Sequence, residues 1–540
     1  MQFLNSLRFK LAVTCFSFVV ACLIFTSAAQ DSTNTGVGSI RAEELRQKVS
    51  HIASEEFKGR GNGTPALDAA ARYIADVFEK NGLKAAGDAG TYFQHFNIYS
   101  ARLGRQNTLQ VRLSRDSSLD LKAGTDFIPE FWSTSGAVVG PLQILEEKRE
   151  NRTDLPDLKG KIAVEFEDSI VSDDPEFPAN AVEGRKLQEA GAIAVIIVQS
   201  LSDRSRRIGN LEENLREDLP VRLTSMASVD TVSYPQIPIV VLSSEIGRQL
   251  LAEFKKPHAA ITARLSVDLE RRTHSTQNVL ALIPGSDPNL KDEVMIVGGH
   301  YDHDGEAYGQ IWYGADDNAS GTAALLELAE AFGSGAAPPA RSVLLCAWAG
   351  EEKGLLGSRY YVGHPFFSLN KTIAMFQMDM IGRNEEHGAN NSQQIPEEHA
   401  AANETSLNVL GSAFAPELKA IISSMNMQTS LTLHFRYDFG AEDLMRRSDQ
   451  WSFLQKGIPA IFFFTGLHPD YHTPRDTAEK INYPKLESVT KLVYLTAFQL
   501  ANSQGRPQFV KTGRRRAAVK KPVDTVRQDF LKLALGFSEC

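Results

Sequence analysis

Val294-Met-Ile-Val-Gly-Gly-His300-Tyr-Asp302 reads as an apolar strand that ends on a histidine, with a carboxylate two residues later. The same grammar recurs along the chain. Ser342 to Trp348 runs into Ala-Gly-Glu351-Glu352-Lys353, Thr372 to Met378 into Asp379, and Ile458 to Phe464 precedes Asp470-Tyr471-His472. Val279 to Ile283 is a further apolar run, and amphipathic segments such as Thr322 to Phe332 alternate with these strands. Apolar strands alternating with helices predict an α/β fold, a mixed and mostly parallel sheet flanked by helices. In open sheets of that kind the crevice outside the carboxyl ends of the strands is where loops converge on a ligand. The acids and histidines fall just past those ends.

Each candidate has a plainer reading on its own. A lone His-x-Asp is more often surface than site, a Glu-Glu pair is usually solvated, and an Asp before a helix is usually a cap. Their common position after strand ends raises them together. His300 is the expected ligand of the first segment, with Asp302 orienting the imidazole instead of binding a metal itself. Gly314-Ala-Asp316-Asp317-Asn318-Ala-Ser-Gly321 lets the backbone turn tightly under a metal. Asp316 is expected to reach inward, while Asp317 or Asn318 caps the following helix. Adjacent Glu351 and Glu352 must point in different directions, so one can ligate while the other stays free as a general base. Asp379 and His472 then complete two sets of nitrogen and oxygen ligands compatible with zinc.

A chain of 540 residues exceeds what one core normally organises. With 42% hydrophobic and 23% charged residues, it fits neither a disordered nor a polytopic membrane protein. A net charge of -9 gives no basic field for nucleic acid. At the amino end, Arg8 and Lys10 precede the apolar run Leu11 to Phe25, and Ser27, Ala28 and Ala29 precede Gln30. This layout predicts a signal peptide over 1–29, hence export, periplasmic or secreted, with no lasting transmembrane anchor. Lipid anchoring through Cys22 is the lesser alternative. Cys15 and Cys22 would leave with that segment, so Cys346 and Cys540 imply no disulfide framework. Cys346 belongs to an apolar run and reads as core.

Leu45, Val49 and Ile52 fall at helical spacing, and Thr64 with Pro65 signals the start of a second helix ending before Gly82. Residues 40–126 are accordingly assigned to the same domain as 276–503. Between them, 131–265 carries short β-rich runs (Lys161 to Glu165, Ala192 to Val198, Ile237 to Leu242) with a helix near Glu183 to Ala190, and is expected to be an insertion. The charged stretch Arg204 to Arg222 reads as a solvated excursion, Asn384 to Thr405 as a long surface loop, and 504–540 as a basic tail.

In order, His300-x-Asp302, Asp316, Glu351-Glu352, Asp379 and His472 resemble the co-catalytic dinuclear zinc metallopeptidases that include bacterial secreted aminopeptidases and glutamate carboxypeptidase. Asn278-Val-Leu-Ala-Leu-Ile-Pro-Gly285, Arg447-Ser-Asp449 and Gly457-Ile-Pro459 agree with that pattern too. The resemblance implies an α/β/α sandwich and two zinc ions per chain. His300 and Asp379 would hold one zinc, Glu352 and His472 the other, and Asp316 would bridge. It further implies Glu351 as general base and Tyr471 as a hydroxyl donor to the tetrahedral intermediate. Peptides are the implied substrates, cleaved at the amino end. A carboxypeptidase with a basic pocket (Arg383, Arg436, Arg446, Arg447 are available) is the second reading, and a non-catalytic binding protein like the transferrin-receptor branch is the third. Gly160-Lys-Ile-Ala-Val-Glu165 and Leu187 to Ile197 resemble a protease-associated domain. Departures from the pattern are Gly350, Gln377 and Gln450, the last in a stretch expected near the substrate pocket.

Overall fold

The computed structural model describes residues 36–511, apart from 115, 131, 146–153, 167–178, 199–221, 224–234, 255, 257–260, 308, 335–337, 386–402 and 440–443. The expected signal peptide, most of the charged excursion and of the long polar loop, and the basic residues of the tail lie outside the described residues. Among the described residues no helix is long and apolar enough to cross a membrane.

The chain forms two compact units, one built from the segment ending at Phe96 together with Ser275–Thr512, the other from Asn97–His274. In the first, helices α1 (Ala42–Ile52) and α2 (Pro65–Lys80) come early. The Thr64 hydroxyl accepts the Leu67 amide hydrogen as an N-cap, and α2 buries Leu67, Ala70, Ala71, Ile74 and Phe78. Strands β1 (Phe93–Leu103) and β2 (Leu269–Ile283) follow, then β3 (Val294–His300), α3 (Gly321–Gly333), β4 (Ser342–Trp348), α4 (Leu356–Gly363) and β5 (Thr372–Met378). The unit ends with β6 (Ser406–Leu410), α5 (Pro416–Met425), β7 (Thr432–His434), α6 (Gln450–Gln455), β8 (Ala460–Phe464) and α7 (Tyr483–Asn502).

Their sheet order is β7-β6-β8-β5-β3-β4-β2-β1. The central pairs β4/β3, β3/β5 and β5/β8 are parallel, whereas β2/β4 and β6/β8 are antiparallel. Every residue of β3, β4 and β5 is buried, because helices cover both faces, and this is why these strands read as unbroken apolar runs. On one face α3 packs on β3 and β4 with α1, α2 and α7 around it; on the other α6 packs on β5, β8 and α4. The latter face buries Ile296, Leu344, Cys346, Trp348, Tyr361 and Phe453 in one cluster. Cys346 is a free, buried thiol of β4 and belongs to this core, as its apolar neighbours imply. Strands β6 and β7 lie where the sequence signalled none. They are short, and β7 is an exposed three-residue edge with no apolar run to announce it.

The second unit is an eight-stranded mixed sheet. Gly136–Ile144, Ile162–Phe166, Ala194–Val198 and Ile239–Leu242 pair in parallel, with Ala179–Glu189 and Ser244–Phe254 as helices. Its boundary differs from the expected one. Thr108–Arg112 pairs antiparallel with Thr262–Val267 and with Ser118–Lys122, and Phe127–Pro129 with Ile239–Leu242. Residues 108–126 therefore belong to this unit and not to the larger one: the backbone hydrogen bonds of their strands, invisible to local pattern, are made within its sheet.

Candidate active site

Because β3, β4, β5 and β8 run parallel, their carboxyl ends open on one edge, and each delivers a polar side chain there. His300 is the last residue of β3, Glu351 and Glu352 follow the end of β4, Asp379 follows β5 directly, and His472 lies in the loop after β8 with a left-handed backbone (φ 52°). Crowding at this edge leaves no room for side chains on the glycine before it. A Cβ at Gly298 would stand 2.4 Å from the Trp348 indole nitrogen.

The two histidine Nε2 atoms face the same carboxylate. His300 Nε2 lies 3.3 Å from Asp317 Oδ1 and His472 Nε2 lies 3.0 Å from Asp317 Oδ2. Asp379 Oδ1 is 3.2 Å from His300 Nε2, and Glu352 Oε2 is 3.2 Å from His472 Nε2. Glu351 Oε2 stands back, 4.0 Å from His300 Nε2. His300 Nε2 and Asp379 Oδ1 are buried yet have no hydrogen-bond partner. Two ligands of one tetrahedral zinc, each about 2.0–2.2 Å from the ion, stand about 3.3 Å apart. The arrangement thus offers two adjoining cation positions that share Asp317, and a cation would satisfy the orphaned buried atoms.

The expected bridge Asp316 is not in this cluster. Its Oδ1 accepts the Gly382 amide hydrogen at 2.7 Å, its Oδ2 faces His468 Nε2 at 3.3 Å, and its own N–H donates to Asp476. Neighbouring side chains on an extended turn point to opposite sides, so once Asp316 is engaged behind the site, Asp317 faces into it. Asn318 takes the capping role instead: its Oδ1 accepts the Gly321 amide hydrogen at 2.9 Å at the start of α3. The Asp317–Asn318 peptide is cis.

Asp302 does not reach the cation positions. Its carbonyl lies 3.2 Å from His300 Nδ1, while its carboxylate accepts the backbone N–H groups of Glu351 (3.1 Å) and Glu352 (3.4 Å) and the Asn62 amide (2.7 Å). It therefore orients the glutamate pair as well as the histidine. Tyr471 packs against the His472 ring, with centroids 4.0 Å apart, and burial pushes its phenol well up, keeping the hydroxyl protonated. Burial likewise pushes the Glu351 carboxyl well above the usual range; His300 opposes the shift, and the Asp379 and Glu352 carboxylates add to it. Burial opposes charge on His300, but Asp379 and Glu351 outweigh it and hold the imidazole well above its ordinary value.

A small open cleft adjoins the cluster. Asp317, Glu351, Glu352, Asp379 and Tyr471 line its polar side, and Met380, Leu444, Phe462, Phe464 and Leu467 its apolar side, with Arg447 as its basic group. Gln450 is not among the lining residues: it is buried, and its amide donates to the Met445 carbonyl at 2.8 Å. Of the other arginines considered, Arg383 pairs with Asp470, Arg436 with Glu385, and Arg446 lies over the Trp451 ring.

Sequence reasoning passed over Arg60. Its side chain is fully buried and donates to the carbonyls of Tyr301 (2.7 Å), Ile52 (2.8 Å), Tyr313 (2.9 Å) and Gly314 (2.9 Å). It thereby ties the loop after β3 to the loop carrying Asp317. Burial lowers its pKa to about 10 even though the Asp302, Asp317, Asp476 and Glu352 carboxylates oppose that. Arg60→Met leaves these carbonyls unpaired and the carboxylates without their buried cation, so a loss of about 3–5 kcal/mol is expected. In thermal unfolding this appears as a Tm lowered on the order of 10 °C. An unchanged Tm would show that the loops hold without it.

Comparison with known proteins gives concordant matches. Residues 278–497 match the model of peptidase family M28. Aminopeptidase YwaD of Bacillus subtilis (strain 168) is 27% identical over 366 residues, 66% of this chain and 66% of that protein. The probable leucine aminopeptidase 2 of Aspergillus fumigatus is 28% identical over 341 residues, 62% of this chain and 57% of that one. The match thus spans under two thirds of the length of these curated relatives. Among solved structures, an aminopeptidase from Aneurinibacillus sp. strain AM-1 superposes with a TM-score of 0.58 at 22% identity, covering 89% of this chain and 98% of that chain. A zinc aminopeptidase from Bacillus subtilis gives 0.50 at 21%, covering 88% and 98%. These two likenesses are likenesses of fold.

Proposed function

We propose, from the premise that the chain belongs to peptidase family M28, that it is a zinc-dependent exopeptidase releasing amino-terminal residues from peptides. The observation that carries this reading is the pair of donor sets meeting at Asp317, set beside an apolar cleft. His300 and Asp379 would hold one zinc, Glu352 and His472 the other, and Asp317 would bridge them in place of Asp316. Bound zinc supplies Lewis acidity toward a carbonyl oxygen and acidifies water. Glu351, close to the cluster but outside both donor sets, accepts the proton of the attacking water and returns it to the leaving amine. The Tyr471 hydroxyl donates to the oxygen on which negative charge develops. Asp302 keeps the glutamates and His300 in place.

The cleft wall of Met380, Leu444, Phe462, Phe464 and Leu467 suits an apolar side chain of the substrate's first residue. Arg447 is the one arginine among the four candidates that lines the cleft, which is less than a pocket for an acidic carboxy-terminal residue requires. The retained donors and base argue against a purely binding role. The segment 1–29 supports export, and we assign the second unit to the protease-associated class on the motifs quoted above.

The test is a peptide panel with free and blocked ends, with metal content measured in parallel. Peptides with a free amino end and an apolar first residue should be trimmed, N-acetylated ones should not, and about two zinc ions per chain should be found. Release of carboxy-terminal residues from N-acetylated peptides would overturn the aminopeptidase reading. Chelation should abolish trimming and zinc restore it. It should also lower Tm, because Asp317, Glu351, Glu352 and Asp379 are then left as close, buried carboxylates. Each ion held at 1,000 times its Kd contributes about 4 kcal/mol of stability. A Tm indifferent to chelator would count against bound metal.

A further inference from the structure

We propose that His303 is a positioning residue for the second cation position, fixing Glu352 so that a single carboxylate oxygen faces the ion shared with His472. The inference rests on the zinc reading above and concerns a residue that neither the sequence pattern nor that reading uses. His303 Nδ1 lies 2.7 Å from Glu352 Oε1, and the other oxygen of the same carboxylate, Oε2, is the one 3.2 Å from His472 Nε2. An N–H donor on Oε1 makes the two oxygens inequivalent and leaves Oε2 for a metal. With no donor there, Oε1 is a nearly buried acceptor with no partner, and the carboxylate gains by rotating.

The imidazole is itself held on several sides. His303 is fully buried, its backbone N–H donates to the Arg60 carbonyl at 3.1 Å, and its ring meets the His472 ring edge to face, centroids 5.6 Å apart at 89°. Gly314, with φ of 54°, makes the room: a Cβ there would stand 2.5 Å from the His303 ring. The next residue works on the other ligand of the same position. Asp304 Oδ2 is 3.5 Å from His472 Nδ1, and its Oδ1 accepts from Lys353 Nζ at 3.0 Å. Thus His303 and Asp304, consecutive in sequence, address Glu352 and His472, whereas Asp302 addresses His300 and the glutamate backbone.

Substitutions in the full chain test this. His303→Leu keeps bulk and removes the donor, while His303→Asn retains an amide N–H near the place of Nδ1. Removing such outer contacts typically costs 10–100-fold in metal affinity. His303→Leu is expected to hold one zinc like the wild type and to release the other to a competing chelator at a 10–100-fold lower concentration, with an unchanged circular dichroism spectrum. His303→Asn should restore most of that affinity, and Asp304→Asn should weaken the same ion and not the other. Should His303→Leu not fold, His303→Asn carries the test through zinc content and chelator titration, and loss of the second ion despite its retained amide N–H would overturn the proposal. Two zinc ions bound with wild-type affinity in His303→Leu would overturn the proposal, as would equal losses in the leucine and asparagine variants. A wild-type chain without zinc would instead overturn the metal reading itself.

Discussion

Asp317→Ala is expected to lower kcat/KM by about 10³-fold or more, equivalent to about 4 kcal/mol of transition-state stabilisation, and to bring zinc content from two per chain to below one. The magnitude follows from position. Among the described residues Asp317 is the one carboxylate in ion-pair contact with both histidine Nε2 atoms, at 3.3 Å and 3.0 Å, so its removal would take a donor from both proposed cation positions at once. It also leaves Glu351, Glu352 and Asp379 to repel one another with less cation to offset them. Asp316→Asn is the matched control. Asparagine retains an acceptor for the Gly382 amide hydrogen, and the side chain does not reach the cluster, so zinc content should hold and activity should stay within a few-fold of wild type. Zinc analysis and steady-state kinetics on both variants decide between adjacent residues. Loss of zinc from the Asp316 variant with retention in the Asp317 variant would restore the expectation read from sequence and sink the geometric one.

Glu351→Gln should reduce kcat by about 10²–10⁴-fold, the usual contribution of a positioned general base, while both zinc ions remain. Glutamine has the same shape, and the Glu351 backbone N–H that Asp302 accepts is untouched, so the strand end keeps its course. Glu351 also stands outside the closest donor contacts, 4.0 Å from His300 Nε2 against 3.2 Å for Asp379. Near-normal kcat with full zinc content would remove Glu351 from the mechanism. A matching loss of zinc would make it a ligand instead of a base.

Much of the fold was legible because both faces of the central sheet are covered. Burial on two sides demands unbroken apolar runs, and β3, β4, β5 and β8 carry them in the sequence for that reason. The edge strand β7 has no such demand and left no signal. The end of each run, where an acid or histidine breaks it, marked His300, Glu351, Glu352, Asp379 and His472, and the structure brings these side chains to one edge. Asp302 was placed beside His300 on spacing alone, but its contacts to the glutamate backbone needed the fold.

What the amino-acid order determined by itself was the buried central strands and the residues that close them, since both follow from local periodicity and burial. Only tertiary structure decided between Asp316 and Asp317. Both are acids in one small-residue turn, and the choice was made by the Gly382 amide hydrogen and His468, distant in sequence, which engage the first and leave the second to face the histidines. The same holds for Arg60 and His303, whose partners come from loops far along the chain, and for the start of the second unit at Asn97. Local pattern records what a residue must be buried against. It does not record which of two equal neighbours a remote hydrogen bond will turn away.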